Sequence, residues 1–157
     1  MSATLRGANA RFGNLLTAMA TPLHSDGSID FAGAQTLAKW LMAEGNDALV
    51  INGTTGESPT LSHAEHKRVV ELCIEAAAGR VPVMAGAGSN NTAEAIDFSR
   101  HAEKAGAQGL LHVTPYYNKP SQEGLYRHFK AIAQATSLPI FIYNIPPRSV
   151  VEMSVET

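Results

Sequence analysis

Cysteine is nearly missing from these 157 residues, and Cys73 stands alone. A single thiol excludes an internal disulfide and fits a reducing, cytoplasmic setting. Its neighbours Val69, Val70 and Ile74 mark it as a small buried side chain rather than a reactive one. Charge is also sparse, at 17% of residues with a formal net of −2, so the basic excess that nucleic-acid binding needs is not there. No apolar run approaches the ~18 residues of a membrane span. The polar stretch Met1–Gly13 lacks the apolar centre of a signal peptide. There is no paired-carboxylate site and no Cys/His cluster, so no metal site is predicted. What is plentiful is apolar material, at 45%, which is enough for a real core.

That material comes in short runs: Leu15–Ala20, Ala48–Asn52, Val81–Ala85, Gly109–Val113 and Ile140–Tyr143, with starts 33, 33, 28 and 31 residues apart. Brief continuous apolar runs read as strands buried on both faces. Helix signals fill the gaps. Asp30 opens a helix that stops at Gly45; Ser62 and Glu65 form a capping box before one that stops at Gly79. Asn91 and Glu94 start a third, ending near Gly106, and Pro120-Ser121 starts a fourth. Strand–helix alternation predicts a parallel sheet with right-handed crossovers. One architecture that fits is a closed, eight-stranded TIM (β/α)8 barrel, which usually takes about 250 residues; an open doubly wound sheet is the other. Met153–Thr157 reads as a helix start capped by Ser154, which favours the barrel. The expectation is therefore an α/β fold in which residues 1–157 form one incomplete barrel domain. It would hold the first five strands and four helices, be cut near the start of the fifth helix, and leave the edges of strands 1 and 5 unpaired.

In either architecture, ligands bind at the C-terminal ends of the strands. The segments there are Thr21-Pro22, Gly53-Thr54-Thr55-Gly56-Glu57-Ser58, Gly86-Ala87-Gly88-Ser89-Asn90-Asn91, Thr114-Pro115-Tyr116-Tyr117-Asn118-Lys119-Pro120 and Tyr143-Asn144-Ile145-Pro146-Pro147-Arg148. Three of the four tyrosines fall in them. Hydroxyls beside an arginine suit a carboxylate substrate, because the guanidinium fork matches that group. Acid–base work would fall to Thr and Tyr hydroxyls. Each feature also has a plainer reading: a tight turn for the glycine loop, a packing pair for Tyr116-Tyr117, a solvated charge for Arg148. His63 and His66 share one helix face and read as surface residues.

Taken together, Gly53-Thr54-Thr55-Gly56-Glu57, Val113-Thr114-Pro115-Tyr116-Tyr117-Asn118-Lys119-Pro120 and Tyr143-Asn144-Ile145-Pro146-Pro147-Arg148 resemble the dihydrodipicolinate synthase family of the pyruvate-dependent class I aldolases. The likeness runs from Leu16 to the end. The related N-acetylneuraminate lyases share the Thr-Gly-Glu and Tyr-Asn-Ile-Pro motifs but typically lack an arginine at the place of Arg148. Such a lyase, or a non-catalytic half-barrel module, is the alternative reading.

The resemblance implies a lyase in lysine and diaminopimelate biosynthesis, cytoplasmic and at least dimeric, as a homotetramer in many family members. It condenses pyruvate with L-aspartate semialdehyde through a lysine Schiff base and uses no separate cofactor. It implies Tyr143, Thr55 and Tyr117 as the catalytic hydroxyls, with Tyr117 reaching a neighbouring subunit's site. Thr54 and Thr55 would hold the pyruvate carboxylate, and Arg148 the semialdehyde carboxylate. L-lysine, as an inhibitor, would bind at Ser58, His63, His66, Asn90, Glu94 and Tyr116, with Pro59 a departure from the usual alanine. The Schiff-base lysine would lie on a sixth strand beyond Tyr143. Lys39, Lys67, Lys104, Lys119 and Lys130 are poor substitutes, because an imine-forming lysine needs a dry site. This chain alone is therefore expected to be inactive.

Overall fold

The computed structural model describes residues 10–157; residues 1–9 of the polar N-terminal stretch lie outside the described part. The order is β1 (Leu16–Ala18), α1 (Phe31–Ala43), β2 (Ala48–Ile51), α2 (His63–Ala77), β3 (Val83–Gly86), α3 (Thr92–Ala105), β4 (Gly109–Val113), α4 (Gln122–Ala133), β5 (Ile140–Tyr143) and a short α5 (Pro146–Ser149). A 3-10 turn, Ser58–Thr60, precedes α2. The five strands form one sheet in the order β1-β2-β3-β4-β5, and every pairing is parallel.

The sequence signals operate where expected. The Asp30 carboxylate accepts from the Gly33 N–H at 2.8 Å. Ser62 and Glu65 form a complete capping box, with the Ser62 N–H donating to Glu65 Oε2 at 2.8 Å. Asn91 and Ser121 cap α3 and α4 through the N–H groups of Ala93 and Gly124. Each such cap is worth about 1 kcal/mol. Gly106, at φ 101°, ends α3 in the left-handed region as predicted. α2 stops a residue earlier than predicted, with Ala78 itself left-handed at φ 48°. Ser154 opens only a turn, in which the Thr157 N–H donates to the Ser154 carbonyl at 3.1 Å.

Alternation along the strands separates two cores. Leu49, Ile51, Val83, Ala85 and Leu110 face the helices and join Ala38, Val69, Cys73 and Phe98. Ala48, Val50 and Met84 face the other way, with Leu16, Leu111 and Phe141, and Phe12 closes that side. All four long helices pack on a single face of the sheet, with α4 contributing Leu125, Phe129 and Ile132 beside it. A doubly wound sheet carries helices on both faces, so this arrangement is part of a barrel wall with Ala48, Val50 and Met84 inside.

Burial on both faces holds for β2 and β3, whose residues are all buried. It does not hold for β1 and β5, which are only partly buried. Both are edge strands among the described residues, with one neighbour each. The same apolar content is covered in the middle of the sheet and half covered at its margins. Cys73 is fully buried and its thiol pKa is pushed up to about 12 by desolvation, in keeping with a packing role. No helix among the described residues is long and apolar enough to cross a membrane.

Candidate active site at the mouth of the strands

A cavity of about 570 Å³ opens at the C-terminal ends of the strands. Its walls come from four successive loops: Thr54 after β2, Gly88 after β3, Tyr116 after β4, and Tyr143 with Arg148 at β5 and α5. Leu61, Phe98, Leu111, Val113 and Ile145 supply apolar surface. This volume and this mixture suit a small organic ligand held by a few polar groups.

The β2 loop leaves the strand through Asn52, whose backbone is left-handed at φ 56°. It then turns on local bonds, from the Gly56 N–H to the Gly53 carbonyl and from the Glu57 N–H to the Thr54 carbonyl, both 3.1 Å. Two side chains tie the loop to its surroundings. Thr21 Oγ1 donates to the Gly56 carbonyl at 2.7 Å, and Asn52 Nδ2 donates to the His66 carbonyl at 2.8 Å. The N–H groups of Thr54 and Thr55 make no hydrogen bond among the described residues. They are free donors at the cavity end of a strand.

Tyr143 is the last residue of β5 and shares the inner face with Phe141 by period-2 alternation. Its carbonyl accepts from the Thr114 N–H at 3.1 Å, which joins the β4 and β5 loops. Arg148 sits on α5, which the sequence reading treated as loop. Pro146 occupies the first turn, and the Arg148 N–H donates to the Ile145 carbonyl at 3.0 Å. The Ser149 hydroxyl, within reach of the Ile145 and Val151 carbonyls at 3.0 and 2.9 Å, fastens the turn. The Arg148 guanidinium has no ion pair or hydrogen bond among the described residues. An unpaired guanidinium on a cavity wall is a ready partner for a carboxylate.

The structure brings together Thr54, Tyr143 and Arg148, and in the same cavity Ser58, His63, Glu94 and Tyr116. Pro59 lines it as well. The two sites that the resemblance separates thus line one continuous cavity here. His63 Nε2 lies 3.5 Å from Glu94 Oε1. Four expected residues lie outside the lining. Thr55 is exposed on the loop, and Tyr117 is 89% exposed with its backbone left-handed at φ 70°. No hydrogen bond joins Thr55, Tyr117 and Tyr143. The Asn90 side chain is committed to the Tyr116 carbonyl at 3.1 Å.

His66 corrects the surface reading of the histidine pair. It is 3% exposed and lies flat on Phe98, because α3 covers the side of α2 on which it sits. Desolvation lowers its pKa to about 4. The sequence reading missed Asn52 and Ser149. An Asn immediately before Gly was the signal for the first, since that residue tolerates the left-handed region; Ser149 carried none. None of the five lysines lines the cavity.

Fold and cavity together define a (β/α)-barrel protein whose ligand site is built from loops at the C-terminal mouth. Residues 11–157 match the model of the Dihydrodipicolinate synthetase family, and the chain belongs to that family. It is 64% identical over 146 residues to a 4-hydroxy-tetrahydrodipicolinate synthase of Chelativorans sp. (strain BNC1), covering 93% of this chain and 50% of that relative. A solved dihydrodipicolinate synthase from Cyanidioschyzon merolae with lysine bound superposes with a TM-score of 0.90 at 44% identity, covering 92% of this chain and 50% of that one. The chloride-inhibited enzyme from Acinetobacter baumannii, complexed with pyruvate, gives 0.87 at 46% identity, over 89% and 48%. The chain spans about half the length of the relatives it matches.

Proposed function

We propose that this chain carries the keto-acid-binding part of a 4-hydroxy-tetrahydrodipicolinate synthase, which condenses pyruvate with L-aspartate semialdehyde. The observation that carries the reading is one cavity shared by Thr54, Tyr143 and the unpaired guanidinium of Arg148. The free N–H groups of Thr54 and Thr55 receive the pyruvate carboxylate. A lysine outside this chain forms the imine, whose positive charge lowers the barrier to removing a methyl proton. Tyr143 carries that proton as a hydroxyl general acid–base, and Thr55, which makes no hydrogen bond to it in this chain alone, is its proposed relay in the complete barrel. Tyr117, directed away from its own cavity, serves that of a neighbouring subunit, and Arg148 holds the semialdehyde carboxylate. Cytoplasmic location, a homodimer or homotetramer, a place in lysine biosynthesis and inhibition by L-lysine belong to the same reading. The lysine-bound relative supports the last of these.

Borohydride reduction in the presence of labelled pyruvate tests it. The 157-residue chain binds pyruvate without becoming labelled, because no lysine lines its cavity. A longer polypeptide carrying the rest of a family barrel becomes labelled and condenses the two substrates. Failure of the chain to bind pyruvate, or covalent labelling of the chain alone, overturns the reading.

A further inference from the structure

We infer that Thr21 and Asn52 are positioning residues that clamp the hydroxyl loop Gly53–Ser58 from two sides. The inference deepens the proposed function and rests on it only for the loop's role as a carboxylate cradle. Left to itself the loop has only short-range ties: Gly56 N–H to Gly53 carbonyl, Glu57 N–H to Thr54 carbonyl, and a long Ser58 N–H to Gly53 carbonyl contact at 3.5 Å. Turns of that kind do not fix the direction of the free Thr54 and Thr55 donors relative to the barrel. The two side-chain bonds do.

Thr21 holds the far end of the loop. It is 7% exposed, stands beyond β1, and donates to the Gly56 carbonyl at 2.7 Å. A Cβ at Gly56 would lie 3.1 Å from the Met19 carbonyl and 3.2 Å from the Asn52 Cα, so the loop is seated directly on the ends of two strands. Asn52 holds the near end. It is 2% exposed, adopts the left-handed backbone that aims Gly53 outward, and reaches the His66 carbonyl on α2. Three elements, β1, β2 and α2, therefore meet at this loop; Thr21 joins them from outside the cavity lining and Asn52 from its wall. Each bond is buried, so a group left without its partner carries a desolvation penalty that a surface group would not.

Amide hydrogen exchange on the 157-residue chain tests the clamp without reference to activity. Thr21→Val removes the donor at nearly constant volume. Asn52→Asp keeps the shape and the backbone tolerance but sets an oxygen against the His66 carbonyl. Each is expected to raise exchange at Gly56 and Glu57 about tenfold, the size of one lost buried hydrogen bond, while α3 amides keep their wild-type rates. Thr21→Ser, which keeps the hydroxyl, is expected to stay within about twofold of wild type. Unchanged loop exchange in Thr21→Val and Asn52→Asp overturns the inference. So does an equal rise in α3, which would make the bonds general supports of the fold, or a loop that is already unprotected in the wild type. Pyruvate is then added to the wild type. Absence of slowed loop exchange counts against the proposed function, whereas the variant comparison without pyruvate still decides the clamp.

Discussion

The imidazole of His66 lies against the ring of Phe98 with centroids 4.1 Å apart and planes 20° from parallel. Burial in this stack is the main reason its pKa falls from 6.5 to about 4, with the charges of His63, His101 and Lys67 adding and the Gly86 carbonyl opposing. His112 falls to about 4 for the same principal reason. The Ser99 hydroxyl donates to the Ala95 carbonyl at 2.6 Å, so it accepts from His112 Nε2–H at 3.2 Å and leaves Nδ1 bare. Both folded-state values are depressed. The unfolded chain takes up these protons near pH 6.5 and the folded chain only near pH 4. Stability is therefore full above the upper value and is lost as pH falls through the window, by up to about 1.4 kcal/mol per pH unit for each ring. Urea midpoints across the window measure the slope. His112→Asn is expected to make it shallower, and an unchanged slope would refute the assignment.

Arg148 presents its planar fork on the cavity wall with no ion pair or hydrogen bond among the described residues. Under the proposed function, Arg148→Ala is expected to weaken L-aspartate semialdehyde binding more than tenfold, in line with about 1.5–3 kcal/mol for a hydrogen bond to a charged group. Arg148→Lys recovers only part, because an ammonium cannot make the paired bonds. Calorimetric titration of the variants against the same ligand checks both. Equal affinity in all three proteins counts against a carboxylate role.

Val150 is a β-branched residue at φ 60°, 65% exposed, in the position that closes α5. A left-handed conformation costs such a residue about 1–2 kcal/mol, and glycine would lose little buried surface there. After allowing for the greater freedom of glycine in the unfolded chain, Val150→Gly is expected to stabilise the protein by about 0.5–1 kcal/mol. A higher urea midpoint at constant slope is the measurement.

Gly86 ends β3 against the Asn52 carbonyl, and a methyl group there would overlap that oxygen and the carbon behind it. Two buried strands flank the contact and leave no room for it to open. Gly86→Ala is expected to cost about 3 kcal/mol. Chemical unfolding of the purified variant gives the number, and a wild-type midpoint would show that the strand ends can part.

Much of the architecture could be read from residues that act locally. Asp30, Ser62, Asn91 and Ser121 announce helix starts by their own hydrogen-bonding chemistry, and the apolar runs mark the strands. What could not be read depends on neighbours distant in the chain. The left-handed backbones of Tyr117, Lys119 and Val150 carry no glycine to advertise them. Pro146-Pro147 reads as a turn, yet here it opens α5 and lifts Arg148 to the cavity. His66 is buried because Phe98, from the next helix, covers it. The paired threonines of the β2 loop look alike in sequence, and the turn between Gly53 and Gly56 sets Thr54 on the cavity wall and Thr55 outside it.

In this sheet, spatial order copies chain order, from β1 through β5. From β2 to β5, each new strand can thus be laid beside the one made just before it, with no earlier pairing undone. Loop-closure cost stays at that of a single strand–helix–strand step throughout. A ribosome releasing this chain from its N-terminus would extend the wall at one margin only, away from β1, and the binding mouth would widen loop by loop in the order of translation.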